Sequence, residues 1–227
     1  MSNTSAPERL ADHFDALQAE RIRTWPAAQV AKNVAVRKAL VAAFDPAGVV
    51  RIRDHVDPFV LANSVGGTLR LEELVSSGPT VLIFFRFAGC PACNIALPYY
   101  DRQLWPALAE EGVTLVAVSP HLVETGLDEI RSCHGLHFPV ASDEGHALAR
   151  RFGITFARDE VPKGQPTQGW IGELTGTSTA ELPQPAVVII DSDHVVRFVD
   201  VSPDWLSRTE APEILAALRQ IDARTAA

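Results

Sequence analysis

Two cysteines three positions apart, Cys90 and Cys93, follow the apolar run Thr80-Val81-Leu82-Ile83-Phe84-Phe85-Arg86-Phe87, with Pro91 and Ala92 between them. A Cys-x-x-Cys placed where a buried strand turns into a helix is a redox-active arrangement. The thiolate is the attacking form of cysteine. A helix N-terminus offers unpaired N–H groups and partial positive charge, and both favour a thiolate there. Pro91 suits the first helical position, which needs no N–H donor. Cys90 is then the N-cap residue, and Cys93 lies one turn along the same face, within the separation that a disulfide requires. Cys90 reads as the nucleophile, with a lowered pKa, and Cys93 as the resolving thiol.

Two plainer readings stand beside this one. The pair is half of a zinc site, or it is two inert buried cysteines. Structural zinc takes four ligands, commonly from a second pair. Here Cys133, His134 and His137 would have to complete the set, although Cys133 and His134 are adjacent rather than at ligand spacing.

The rest of the composition narrows the function classes. A chain of 227 residues can bury a full core, and 47% hydrophobic with 21% charged residues is ordinary for a globular protein. A net charge of −8 without a basic stripe argues against nucleic acid as a partner. No apolar stretch is long enough to cross a bilayer, so no membrane association is expected. Met1 to Asp15 is polar and acidic where a secretory signal would be basic and then apolar. The expectation is a cytoplasmic protein, a setting in which a cysteine pair is catalytic rather than structural. No cofactor and no metal is expected.

The elements that must position the cysteines follow from periodicity. Residues 1–7 read as disordered. Leu10, Phe14, Leu17 and Ile22, then Val34, Val36, Leu40, Val41 and Phe44, recur at near-helical spacing, and Pro26 divides the segment. Two helices without chemistry are expected there, docked on the main domain or forming a homodimer interface. Pro46-Ala47-Gly48 is a linker, so residues 1–48 read as a helical extension and 49–227 as the main domain. A hairpin is expected around Gly66-Gly67, a short helix at 72–77 and a buried strand at 80–87. A helix runs from Pro91 to Glu111, with Pro98 kinking it and Gly112 ending it. A strand at 113–118 precedes Ser119-Pro120-His121, and a helix spans 122–133. A short strand and turn at 138–143 and a helix at 145–152 follow. Residues 154–184 are loop-rich and read as an insertion or a lid. A strong hairpin (185–190 and 195–199) and an amphipathic helix at 209–221 close the chain.

Strands alternating with helices imply an α/β fold around a parallel sheet, and the terminal hairpin adds antiparallel strands. Sites in such sheets lie beyond the carboxyl ends of the parallel strands. Arg86 to Cys90 and Ser119 to His121 both fall at such ends. Pro185, which opens an antiparallel strand, arrives at the same edge.

Three segments together resemble the thioredoxin-fold superfamily, and within it the peroxiredoxin-like branch of the alkyl hydroperoxide reductase / thiol-specific antioxidant family. They are FFRFAGCPACNIALP, then VTLVAVSP with FPVASDEGHALARRFGI, then LPQPAVVIIDSDHVVRFVDVSPDW. The likeness covers roughly residues 55–222 and implies a thioredoxin-like fold: a central mixed sheet flanked by helices, here with the N-terminal extension added. It also implies that Pro185 occupies the place of the cis-proline facing the active cysteine. Two groups typical of peroxiredoxins are absent. Phe87 stands where Thr or Ser precedes the peroxidatic cysteine, and Gln184-Pro185 stand where an Arg precedes the late strand. Arg86 is the candidate replacement for that Arg.

The resemblance therefore implies a thiol-dependent peroxidase. Cys90 attacks a hydroperoxide and becomes sulfenic acid, Cys93 condenses with it to a disulfide, and a thioredoxin-like or other dithiol donor reduces that disulfide. Arg86, Pro185 and His121 are the expected substrate-binding residues. The alternatives are a thiol–disulfide oxidoreductase without peroxidase activity, or a redox-sensing or partner-binding module.

Overall fold

The strand ahead of the cysteines is an inner member of a seven-stranded sheet. In this computed structural model, residues 8–157 and 170–225 are described. The expected disorder of residues 1–7 and the middle of the 154–184 loop lie outside the described residues. The chain begins with α1 (Leu10–Thr24), α2 (Ala27–Ala43), β1 (Val60–Asn63), β2 (Thr68–Arg70), α3 (Leu71–Leu74) and β3 (Thr80–Phe84). It continues with α4 (Pro91–Gln103), α5 (Trp105–Glu111), β4 (Thr114–Ser119), α6 (Asp128–His134), β5 (Val140–Ser142) and α7 (Ala147–Arg151). The last elements are β6 (Thr155–Phe156), α8 (Ile171–Leu174), β7 (Leu182–Pro183), β8 (Ala186–Ile190), β9 (Val196–Val201) and α9 (Ala211–Thr225).

The main sheet runs β2-β1-β5-β4-β3-β8-β9, and β6 and β7 form a small separate pair. β3, β4 and β5 are parallel, and the two hairpins, β1–β2 and β8–β9, add antiparallel strands at either side. This is the expected α/β architecture, a mixed sheet flanked by helices.

Alternation along β3 explains why the whole strand is apolar. Val81 and Ile83 face a layer holding Leu97, Tyr100 and Leu104 of the α4 side, while Leu82 and Phe84 face a second layer with Val118, Val188 and Phe152. A strand covered on both faces has no solvent side to carry polar residues. Each large side chain buried this way contributes about 1.5–3 kcal/mol.

The N-terminal helices dock on the main domain. Leu10 and Phe14 of α1 are buried in the same layer as α4. The docking is fixed at its start by Glu210, whose carboxylate oxygens accept from the backbone N–H groups of Leu10 and Ala11, each at 2.9 Å. Glu210 also accepts from the Tyr99 hydroxyl at 2.7 Å, so one side chain ties α1, α4 and the start of α9 together. The inward stripe of α1 is Leu10, Phe14, Leu17 and Arg21, at spacings of four, three and four. Ile22, expected in that stripe, is 63% exposed, and Arg21 is buried instead.

Several boundaries differ from expectation. Pro98 sits inside an unbroken α4, and the interruption falls at Leu104, ahead of Pro106 in α5. Pro106 lacks the N–H that would bond back to residue 102 and crowds the preceding turn. Gly112 ends α5 in the left-handed region, as expected. The helix expected over 122–133 is split by Gly126, at φ +101°, into a short 3-10 turn and α6. Gly153 is required by crowding: with φ +67°, a Cβ there would lie 1.9 Å from the Gly48 carbonyl oxygen.

Candidate active site

β3 delivers the chain to the sheet edge, and the turn that follows is built by backbone hydrogen bonds. Cys90 N–H donates to the Phe87 carbonyl at 3.1 Å, and the N–H groups of Cys93 and Asn94 both donate to the Cys90 carbonyl at 3.0 Å. Cys90 is the N-cap of α4, with Pro91 in the first turn. Asn94 donates from its side chain to the Cys90 carbonyl at 3.0 Å and also to that of Ala88, which clamps the turn.

The neighbouring parallel strand braces the same turn. Ser119, the last residue of β4, donates to the Arg86 carbonyl at 3.1 Å. His121 accepts from the Ala88 N–H through Nδ1 at 3.1 Å. That bond leaves the proton on Nε2, which donates to the Thr125 carbonyl at 3.1 Å. Both ring nitrogens are therefore engaged with backbone, and burial lowers the His121 pKa, with the Thr125 carbonyl opposing. His121 does not line the cleft over Cys90 among the described residues. Where the sequence suggested a substrate-binding residue, the structure places a brace: the His121 ring joins the turn ahead of Cys90 to the chain after β4.

Cys90 and Cys93 are free thiols, both buried, and they are hydrogen-bonded to each other. Only Cys90 lines the cleft. Cys93 lies deeper, where the guanidinium of Arg208 donates to its sulfur at 3.5 Å. The pair ionises as a unit. Burial raises the Cys93 thiol, but the hydrogen bond from Cys90, the Arg208 charge and the backbone N–H of Arg86 outweigh it, and Cys93 falls well below the ordinary cysteine range. Cys90 is pushed well above that range, first by its hydrogen bond to Cys93 and then by burial, with Arg86 and Arg208 opposing. The expectation of a lowered Cys90 pKa is thus corrected. The Cys90 proton is committed to the hydrogen bond with Cys93, and Arg208 favours the charge on that second sulfur.

The cleft over Cys90 has a volume of about 250 Å³. On the sheet side it is walled by Arg86, Phe87, Pro91 and Trp205, and the first two helices add Arg21, Lys32 and Val36, with Trp25 from the turn between them. The helices expected to carry no chemistry are therefore one wall of the site. Arg86 is buried and lines the cleft. Its guanidinium lies 4.7 Å from the Trp205 ring centroid and 5.9 Å from those of Phe87 and Phe156. Stacking of this kind holds a cation in place without neutralising it.

Pro185 is at the expected sheet edge, since its neighbour Ala186 pairs with Phe84. It lies on the Cys93 side, around a small void with Tyr100, Arg208 and Thr209. No cis peptide bond occurs among the described residues, so the cis geometry implied by the resemblance is corrected. The Pro185 carbonyl accepts from Ser202 N–H at 2.7 Å.

Among the described residues, no group of three or more His, Cys, Asp and Glu is placed to hold a metal ion. Cys133 is exposed on α6, His134 bonds Asn94 at 2.7 Å and His137 bonds Asp101 at 2.9 Å. The two histidines of the zinc alternative are thus committed elsewhere.

Sequence reasoning missed Arg208, Arg21, Trp25 and Lys32. Arg208 carries no local signature. Arg21 had one: continuing the 10, 14, 17 stripe by one more turn reaches 21.

The chain is similar to several known proteins. A putative peroxiredoxin of Mycobacterium tuberculosis is 28% identical over 170 residues, 74% of this chain and 96% of that protein. The thiol–disulfide oxidoreductase ResA of Bacillus thuringiensis is 29% identical over 133 residues, 56% of this chain and 73% of that protein. The crystal structure of peroxidoxin BcpB from M. tuberculosis superposes with a TM-score of 0.58 at 25% identity, over 76% of this chain and 98% of that one. A family model described as the AhpC/TSA family matches residues 52–199, the stretch that carries the hairpins, the parallel strands and both buried cysteines. With that match over more than half its length, the chain belongs to the AhpC/TSA family.

Proposed function

We propose that this protein is a two-cysteine thiol peroxidase, an oxidoreductase that reduces hydroperoxides at the expense of a dithiol donor. The observation that carries the reading is the division of labour between the sulfurs. Cys90 faces the cleft, and Cys93, beside Arg208, is the more acidic partner behind it.

The reaction begins with the proton shared by the pair. Transfer of that proton from Cys90 to Cys93 exposes a Cys90 thiolate to the cleft. Its sulfur attacks the near oxygen of the hydroperoxide, the S–O bond forms and the O–O bond breaks. The departing alkoxide takes the proton back from Cys93 and leaves as an alcohol. Cys90 is now a sulfenic acid. The Cys93 thiolate, held by Arg208, attacks the Cys90 sulfur, a disulfide forms, and the hydroxide leaves as water with one further proton from solvent. Two thiols and one hydroperoxide have become one disulfide, one alcohol and one water. A dithiol such as a thioredoxin restores the pair by exchange. Both cysteines sit on one helix, so the chemistry does not require a homodimer. A cytoplasmic setting fits a pair that must be returned to the dithiol after every turnover.

Rapid mixing of reduced protein with hydrogen peroxide, followed by thiol counting, tests this. The wild type should lose both buried thiols together. Cys90→Ser should be inert, and Cys93→Ser should stop at the sulfenic acid. Turnover of peroxide by Cys90→Ser would end the proposal.

A second reading is a thiol–disulfide oxidoreductase that never meets peroxide. Phe87 in place of a hydroxyl residue favours it, as does the likeness to ResA. Comparing turnover on hydroperoxides with reduction of insulin disulfides separates the two.

A further inference from the structure

The wall supplied by the N-terminal helices is cationic and aromatic, and it lies outside the segment matched by the family model, which begins at residue 52. Arg21 lines the cleft although it is only 7% exposed. Its guanidinium carbon sits 4.9 Å from the Trp25 ring centroid. Its Nη1 is buried without a hydrogen-bond partner. Lys32 and Arg86 line the same space, and no Asp or Glu is among the described lining residues. A buried guanidinium nitrogen without an acceptor is costly, and a planar fork of donors matches a carboxylate.

We propose that Arg21 is a specificity-determining residue, and that the cleft is built for organic hydroperoxides bearing a carboxylate, with the apolar body held between Trp25 and Trp205. This rests on the peroxidase reading and names the substrate class of the same site. The peroxide end lies at Cys90 and the anionic end at Arg21, with Lys32 adding to the positive potential. The redox step is unchanged: the hydroperoxide leaves as its alcohol, still carrying its carboxylate.

Two measurements test the proposal, and they fail separately. The first needs no peroxidase activity: alkylation of Cys90 by iodoacetate and by iodoacetamide, followed by peptide mass. The iodoacetate-to-iodoacetamide rate ratio at Cys90 should exceed that at the exposed Cys133 by about tenfold, the effect of roughly 1.4 kcal/mol. It should fall severalfold in Arg21→Gln and be largely kept in Arg21→Lys. The second compares kcat/KM for cumene hydroperoxide and its para-carboxy derivative. The charged compound should be favoured by about tenfold, and Arg21→Gln should bring the ratio within the same enzyme toward one. The ratio is insensitive to a general loss of activity. Raising the salt concentration on wild-type protein should lower both ratios, which covers the case of a variant that does not fold. Equal rates for charged and neutral reagents in both assays would overturn the proposal. A raised alkylation ratio with no turnover of hydrogen peroxide or either organic hydroperoxide would overturn the peroxidase reading and the substrate assignment, while leaving the anion-attracting cleft.

Discussion

The Nη2 of Arg208 lies 3.5 Å from the sulfur of Cys93, across 115 residues of sequence. Arg208 also donates from Nε to the Trp205 carbonyl at 3.1 Å, and its guanidinium carbon lies 5.5 Å from the Phe14 ring centroid. A cation held so firmly lowers the thiol it faces. A hydrogen bond to a charged group is worth about 1.5–3 kcal/mol. Arg208→Met should therefore cut the thiolate fraction of the pair at neutral pH by about tenfold or more. The pH profile of alkylation by iodoacetamide should move to higher pH. A profile that stays in place would show that Arg208 does not hold the charge.

His121 predicts an acid-side loss of stability. Burial depresses its folded pKa, so the folded state favours the neutral ring. That contribution is fully present above the unfolded value of about 6.5 and is lost as pH falls through the folded value. Protonation also removes the acceptor for the Ala88 N–H and loosens the turn ahead of Cys90. Thermal unfolding between pH 8 and pH 5 should show this slope in the wild type. His121→Gln should flatten it and lower stability at pH 8.

Glu210 predicts how the N-terminal wall is attached. Its pKa is lowered overall: burial raises it, but Tyr99 and the Leu10 and Ala11 N–H groups outweigh that. The anchoring is thus present above the unfolded pKa of about 4.3 and is lost as pH falls through the folded value. Glu210→Ala removes a cap from α1 and should cost about 1 kcal/mol. Limited proteolysis should then cut within residues 10–43 before the sheet is attacked.

Gly153→Ala is expected to be among the more damaging small substitutions. The residue is in the left-handed region, and the new methyl would overlap the Gly48 carbonyl. Left-handed strain alone costs about 1–3 kcal/mol, and relief of the overlap must move the chain between α2 and β1. A melting curve unchanged from wild type would contradict this.

Much of the fold was legible because its signals are local. The apolar run ending at Phe87, the glycine turn at Gly66-Gly67 and the Asp191-to-His194 turn each mark an element within a few residues. The redox pair was legible for the same reason: spacing, Pro91 and the preceding strand are contiguous. The electrostatics were not. Arg208 follows a hairpin with no pattern of its own, and only tertiary packing sets it against Cys93. Arg21 lies between Glu20 and Ile22, in a stretch that reads as a solvated helix face unless the stripe from Leu10 is followed strictly. Pro185 was placed at the right edge by topology, but nothing local in the sequence marks its peptide as trans.

The carboxylate that holds residues 10 and 11 comes from position 210, and the cation beside Cys93 comes from position 208. Both lie just before the last helix of the described chain. On the ribosome, the cysteine-bearing helix therefore emerges and can pack long before its acidity is set. During that interval Cys93 lacks the cation that lowers it in the folded protein, so the ionisation of the pair is a property of the completed fold and not of the helix that bears it.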